Sequence, residues 1–270
     1  MGGFDLVEAR VNFFDQSLWQ HYWLARSVEV MECNGYQIGP GADLRGANLR
    51  GADLRGANLR EANLSGYGRG RVANLSTANL KGADLTGANL YRVNLTRAEL
   101  GEAILVKVEL TRAKLIGANL VKTNLEGAEL DLANLHGANL HGANLKEADL
   151  IGANLNGADL SAVNLAGAFL NGVDLTGANL KGADLSRAYV NRANLNGADL
   201  AGANLADVDF DWANLSEANL SGANLSETDF TRAKPFPPFL TRANLEGATA
   251  DAGTVWPDRF DPVTAGVIFD

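Results

Sequence analysis

From Leu75 to Phe230 every fifth residue is large and apolar: 32 positions, 29 of them Leu, the others Val190, Phe210 and Phe230. Two residues before each, Ala fills 25 of the 32 slots, with Val93, Val108, Thr123, Val163, Val173, Val208 and Thr228 in the rest. A period of five fits neither common element. On an α-helix, at about 100° per residue, successive Leu side chains land about 140° apart and leave no buried stripe. In a continuous strand, whose side chains alternate, every second Leu points into water. The backbone therefore turns within each unit. An extended piece of three residues, Ala and Leu inward with Asn or Asp outward between them, leaves two residues for a corner. Those corner slots are rich in Gly, Ser, Thr and Asn, which tolerate turn dihedrals or hydrogen-bond locally. Chain wound in this way is a solenoid filled by stacked Leu and Ala.

An earlier block, Leu44, Leu49, Leu54, Leu59 and Leu64, carries the same pattern, and Leu245 closes the series. Runs such as ADLRGANLRGADLRGANLR and ANLHGANLHGANLKEADL resemble the pentapeptide-repeat family over residues 39–248. The period alone gives an all-β solenoid. The resemblance implies more: a right-handed quadrilateral β-helix, with about 20 residues per coil. Roughly 200 residues then make about ten coils, and at about 4.8 Å between stacked strands the rod is about 45 to 50 Å long.

Three segments follow: an N-terminal helical cap (1–38), the repeat (39–248) and an irregular C-terminal capping tail (249–270). Solenoid ends expose strand edges and the open Leu column, so both need cover. Near the N-terminus Phe4, Phe13, Phe14, Trp19 and Trp23 concentrate, and the run 17–26 reads as helical, with Leu18, Tyr22 and Ala25 on one stripe and Trp19, Trp23 and Arg26 on another. The tail, holding Trp256, Phe260, Val267 and Ile268, resembles tails on pentapeptide-repeat proteins of photosynthetic bacteria and is expected to lie over the last coil. Leu64 to Leu75 is eleven residues, two units plus one. Segment 65–71 thus reads either as a bulge that absorbs one extra residue at a glycine corner, or as a loop offering Tyr67, Arg69 and Arg71 to a partner. A Pro-rich break, 234–240, keeps the count of five but puts Pro235 in a core slot. Proline cannot donate to an inter-coil ladder, so one side of that coil is expected to swing outward, with Phe236 and Phe239 covering the flank.

A single Cys excludes a disulfide framework, and no apolar run approaches the roughly 20 residues of a membrane span. A formal net charge of −9 argues against direct nucleic acid binding or an anionic membrane. A cytoplasmic protein without a membrane partner is expected. A rod filled with Leu offers no cavity in which catalytic groups converge, so neither an enzyme, a cofactor nor a metal is expected. His136 and His141 take equivalent outward slots on neighbouring faces with no third ligand in the pattern, and Cys33 reads as cap packing.

If coils hold 20 residues, residues 20 apart stack. On the face of Leu90, Leu110 and Leu130 one outward column then reads Asn89, Glu109, Glu129, Asp149, Phe169, Tyr189, Asp209, Asp229. Tyr91, Leu132, Ile151, Phe169, Tyr189, Arg192, Trp212 and Arg232 make this the candidate interaction face. Phe169 on Tyr189, and Arg192 with Trp212, serve equally well as stacking between coils. Residues 39–81 carry a net +4, with Arg45, Arg50, Arg55 and Arg60 ringing one coil; residues 193–231 carry −7, including Asp207, Asp209, Asp211, Glu227 and Asp229. These charges read as solvated surface, as sites for end-specific partners, or as a route to weak head-to-tail association of a monomer.

Two functions are consistent with this reading. One is a scaffold that docks a protein partner along a flat face. The other, implied by the family resemblance, is a DNA mimic that occupies the DNA-binding groove of gyrase or topoisomerase and confers quinolone tolerance. Against the second, the acid-rich stretch spans only about two coils, roughly 10 Å, and Pro257, Pro262 and Gly266 leave the tail no long helical pattern for a dimer joint.

Overall fold

The unit's hydrogen bonds explain why five residues suffice for one side of a coil. A computed structural model of the chain describes residues 30–66, 72–230, 240, 242–258 and 260–269. In the stretch Asn139 to Ala143 all five N–H groups find acceptors. Asn139 donates to Ala118 C=O of the preceding coil, and Leu140 and Gly142 donate to Asp159 and Ser161 of the following one, at 2.7–2.9 Å. Ala143 closes the corner onto Leu140 C=O at 2.9 Å. The remaining donor, His141 N–H, goes to the Oδ1 of Asn139 at 3.0 Å. The outward Asn or Asp is therefore an acceptor wired into the corner as well as a soluble group, an Asx turn repeated from unit to unit. Each corner's second residue has a positive φ, the type II pattern; glycine fills many of these slots, but Arg92, Leu132 and Trp212 also sit there, at φ 62°, 54° and 61°.

Parallel bridges link residues 20 apart through the regular region, on four faces in turn: Asn74 with Asn94, Asn79 with Glu99, Asp84 with Ile104, Asn89 with Glu109. The coil is thus four-sided, and parallel connections of this kind wind right-handed. One ladder runs the length of the rod, from Asp43 through Asn63, Asn89 and seven further residues to Val255. Its ten steps, at about 4.8 Å each, span about 48 Å. The inward Leu and Ala are almost all buried at 0–1% exposure, so the core is one continuous column. Three polar residues enter it at Ala slots: Thr123, Thr228 and, in the tail coil, Thr254 satisfy their hydroxyls on Leu100, Leu205 and Leu225 C=O at 2.8, 2.9 and 2.8 Å.

The structure corrects both breaks. Asn48 bridges Asn74 and Asn63 bridges Asn89, each 26 residues on. Leu64 and Leu75 therefore lie on consecutive faces, separated by one unit plus six residues, where the sequence count suggested two units plus one. Residues 67–71 lie outside the described residues. At the second break Asn219 bridges Asn244 and Asn224 bridges Thr249, 25 residues on. Leu245 thus stands over Leu220, one face away from where an unbroken count puts it; Pro235, Phe236 and Phe239 lie outside the described residues.

Both ends also differ from expectation. The helix expected at 17–26 lies outside the described residues, but the end of the 1–38 segment is an antiparallel hairpin, β1 (Met31–Cys33) and β2 (Tyr36–Ile38). Asn34 and Gly35, at φ 53° and 80°, make a two-residue turn with both φ positive, the type I′ pattern that suits the twist of a hairpin. Ile38 is 1% exposed, Met31, Cys33 and Tyr36 pack against the core, and the Tyr36 hydroxyl accepts from Asn48 N–H at 3.4 Å. The tail forms a further coil instead of an irregular lid. Val255 bridges Asp229, and β3 (Thr249–Ala250) pairs in parallel with β4 (Ile268–Phe269), nineteen residues on. Within the core column Phe210, Phe230, Trp256 and Phe260 stack at 5.1, 5.2 and 5.3 Å, an aromatic plug. Val267 turns inward, whereas Ile268 is 54% exposed and does not cover the last coil.

Candidate functional site

The fourth face, that of Leu90 and its successors, concentrates exposed apolar side chains. Phe169 and Tyr189 occupy the outward slot of successive coils and bridge each other. Their rings stack at 5.0 Å with planes 6° apart, yet they remain 40% and 51% exposed. Ile151 follows Leu150 in the first corner slot, and Leu132 and Trp212 take second corner slots; all three are exposed. Leu132 leans one coil toward the C-terminus, over Gly152, where an added Cβ would meet its Cδ2 at 2.9 Å. Tyr91, at the other end of the face, is half-buried, and Arg192 stands exposed one coil below Trp212. Arg232 lies outside the described residues. Ile104, exposed on the neighbouring third face, was not singled out by the column reading.

Phe169 and Tyr189, like Glu99, Ile104, Glu109, Lys114 and Glu129 in equivalent slots, depart from the rule that wires the repeat, and they alone do so with aromatic rings. Asp149 Oδ1 accepts Ile151 N–H at 2.9 Å, and Asp209 Oδ1 accepts Asp211 N–H at 2.9 Å, one coil below and one coil above the rings. Between them, Asn171 and Asn191 lack this acceptor, because a ring stands where Asn or Asp would supply it. A residue that forgoes a local hydrogen bond to place an apolar ring in water marks a position where local consistency has given way.

Carboxylates flank the rings on the same face. Burial pushes the Asp149 carboxyl up, with Asp131 adding repulsion against the bond from Ile151. Burial likewise raises Asp209, reinforced by Asp211 and Asp229. Asp207 and Glu227 border them from the last corner slot of the third face, so the five predicted acidic residues form one contiguous patch. Asp207 faces Arg187 at 3.7 Å.

The basic ring is less cationic than its formal charge. Arg45, Arg50, Arg55 and Arg60 do fall on four successive faces of one coil. Arg45 Nε donates to Asp43 Oδ1 at 2.7 Å, and this bond holds the Asp43 carboxyl down at about 2. Arg55 pairs in the same way with Asp53, and Arg60 reaches Asp84 in the next coil at 3.0 Å. Among the described residues only Arg50 of the four has no ion-pair partner.

A shallow groove, about 640 Å³, follows the corner between the third and fourth faces. It forms where Ala166, Gly167, Ser186 and Ala206 leave space between Lys146 and Glu147 at one end and Asp207 and Glu227 at the other. The expectation of a rod without concavity missed it, although small residues recurring 20 apart in corner slots signal such a trough. Gly167 and Arg187 each precede Phe169 and Tyr189 by two residues, so the groove runs beside the ring column. His141 Nδ1 and Ser161 Oγ are 2.8 Å apart on the second face. Among the described residues no three His, Cys, Asp or Glu side chains gather as a metal site, and no helix is long and apolar enough to cross a membrane.

Comparison with known proteins finds relatives by sequence. HetL, a pentapeptide-repeat protein involved in heterocyst differentiation regulation in the cyanobacterium Nostoc sp. strain PCC 7120, is 35% identical over 91% of this chain and 100% of its own, with a TM-score of 0.45. Alr5209 from Nostoc PCC 7120, another pentapeptide-repeat protein, is 35% identical over 43% of this chain and 84% of its own, with a TM-score of 0.20. QnrB1, a plasmid-mediated fluoroquinolone resistance protein, is 18% identical over 80% and 92%, with a TM-score of 0.37. A search of curated proteins finds no match. Eight copies of the family's pattern, described as Pentapeptide repeats, match across residues 40–66, 73–192 and 193–232. With its repeat, its 20-residue coil and these matches, the chain belongs to the pentapeptide-repeat family, whose architecture is the right-handed quadrilateral β-helix.

Proposed function

We propose that this protein is a non-enzymatic, cytoplasmic docking rod that binds a protein partner through side chains on its fourth face. One observation carries the reading: Phe169 and Tyr189 stand exposed in slots where the repeat uses Asn or Asp to complete its corner. Ile151, Leu132 and Trp212 extend the same apolar patch, and large aromatic side chains at the centre of a patch contribute disproportionately to protein recognition. Duplex mimicry has weaker support in the charge layout. A duplex carries phosphates all around its axis, whereas the densest acidic patch here lies on one face and one corner, above a ring in which Arg45, Arg55 and Arg60 are paired to aspartates.

Site-specific photocrosslinking tests the proposal. A benzophenone amino acid at Tyr189 is expected to trap a discrete protein adduct in native cell extract, and the same group at His141 on the second face none. Equal yields of one adduct at both positions, or none at either, reject the face.

A further inference from the structure

Resting on that reading, we infer that the occupant of the fourth face is a single basic amphipathic helix lying along the rod axis, in the corner groove and against the Phe169 and Tyr189 rings. Spacing favours a helix. The rings repeat every 5.0 Å, and a helix presents one side chain per turn at a pitch of about 5.4 Å. The mismatch, about 0.4 Å per coil, reaches about 1.6 Å over four coils. An extended strand repeats its same-face side chains every 6.6 Å or so, a mismatch of about 1.6 Å per coil, four times that of the helix.

Backbone bonding points the same way. Along the faces nearly all N–H and C=O groups are taken up between coils and in corners; the Asn171 and Asn191 N–H groups stand one per coil and form no continuous edge for a strand to extend. A helix needs no such edge, since its own backbone is satisfied internally. The groove between Glu147 and Glu227 spans four coil steps, about 19 Å, the length of a helix of roughly 13 residues.

Charge sets the partner's composition. Asp209, Asp211 and Asp229 lie just beyond the rings on the C-terminal side, and Asp131 and Asp149 just before them. An apolar stripe from the helix covers Ile151, Phe169 and Tyr189, and its Lys or Arg residues one turn away meet these carboxylates.

The experiment selects peptides on the full-length rod from two displayed 14-residue libraries. One library carries apolar positions at helical spacing, the other the same composition in alternation. The expected outcome is enrichment of helix-patterned clones with Lys or Arg one turn from the apolar anchors. Their binding weakens by about tenfold or more in the Ile151→Ser, Tyr189→Ser rod, and holds in a His141→Ser, Lys181→Ser control. Alternating or acidic clones that depend on Ile151 and Tyr189 overturn the helix while leaving the docking face standing. Clones indifferent to both residues overturn the helix and the face together.

Discussion

Restoring the repeat rule at the ring column separates a structural role for the rings from a functional one. In the double variant Phe169→Asn, Tyr189→Asn, each ring gives way to the residue type that the slot normally holds. At 40% and 51% exposed, each ring keeps roughly 70 Å² of apolar side chain from water against roughly 25 Å² for an Asn stem. At about 25 cal/mol per Å² the difference is about 1 kcal/mol per site. Loss of the stacked pair, 5.0 Å apart, adds about 1 kcal/mol. The combined loss, about 3 kcal/mol, is an upper value, because the unfolded chain also hides apolar surface, and about 2 kcal/mol is the better figure. Against it, two new Asn Oδ1 acceptors serve the N–H groups of Asn171 and Asn191, at about 1 kcal/mol each. The variant is therefore expected to lie within about 1 kcal/mol of the wild-type rod in urea unfolding followed by circular dichroism. A loss of about 3 kcal/mol or more would show that the rings hold the coils together, and would refute the argument that they stand there for a partner.

Three further perturbations probe the rest of the account. Leu140→Ala, in a fully buried slot whose neighbours are fixed by inter-coil bonds, is expected to cost about 4 kcal/mol, and Asn139→Ala about 1 kcal/mol for the lost acceptor to His141 N–H; equal costs in urea titrations would contradict the inward and outward assignment. Gly152 and Gly157 share a φ of 64°, but only at Gly152 does an added Cβ meet Leu132. Gly152→Ala should therefore lower thermal stability more than Gly157→Ala, by about 0.5 to 1 kcal/mol, and equal losses would place Leu132 elsewhere. Because burial, then Asp211 and Asp229, raise the Asp209 carboxyl, the folded chain holds that proton more tightly than the unfolded chain. Its charge thus costs stability above both pKa values, a cost that fades as pH falls through the folded value toward the unfolded one. Asp209→Asn keeps the acceptor for Asp211 N–H and is expected to gain about 0.5 kcal/mol near pH 7 and nothing near pH 3; a gain of the same size at both pH values contradicts the repulsion.

Particular residues show how far the sequence alone could lead. The Leu and Ala period forces a turn in every unit, so the core column and the inward slots are legible residue by residue. The role of the outward Asn and Asp is only half legible. Their outward direction follows from the pattern, but the bond from Asn139 Oδ1 to His141 N–H depends on a corner geometry that the period does not state. Eleven residues between Leu64 and Leu75 divide two ways, and only the bridge from Asn48 to Asn74 decides for one unit plus six. At the N-terminus Asn34-Gly35 carried its own hairpin signal, overshadowed by the aromatic run at 17–26. On the fourth face, the column from Asn89 to Asp229 follows from a 20-residue coil, so the ring pair was within reach of counting. The groove was legible only indirectly, as the small residues Ala166, Ser186 and Ala206 recurring 20 apart in one corner slot, a signal that no core pattern draws attention to.

The most direct test of the central claim is a titration of the crosslinked partner, once purified, against two rods. One is wild type, and the other carries Asn at positions 169 and 189. Docking through the rings predicts that Kd rises by about tenfold or more, at least about 1.4 kcal/mol of binding free energy, while the rod's unfolding midpoint stays near that of the wild type. An unchanged Kd would mean that the partner binds elsewhere and that the rings serve the rod alone.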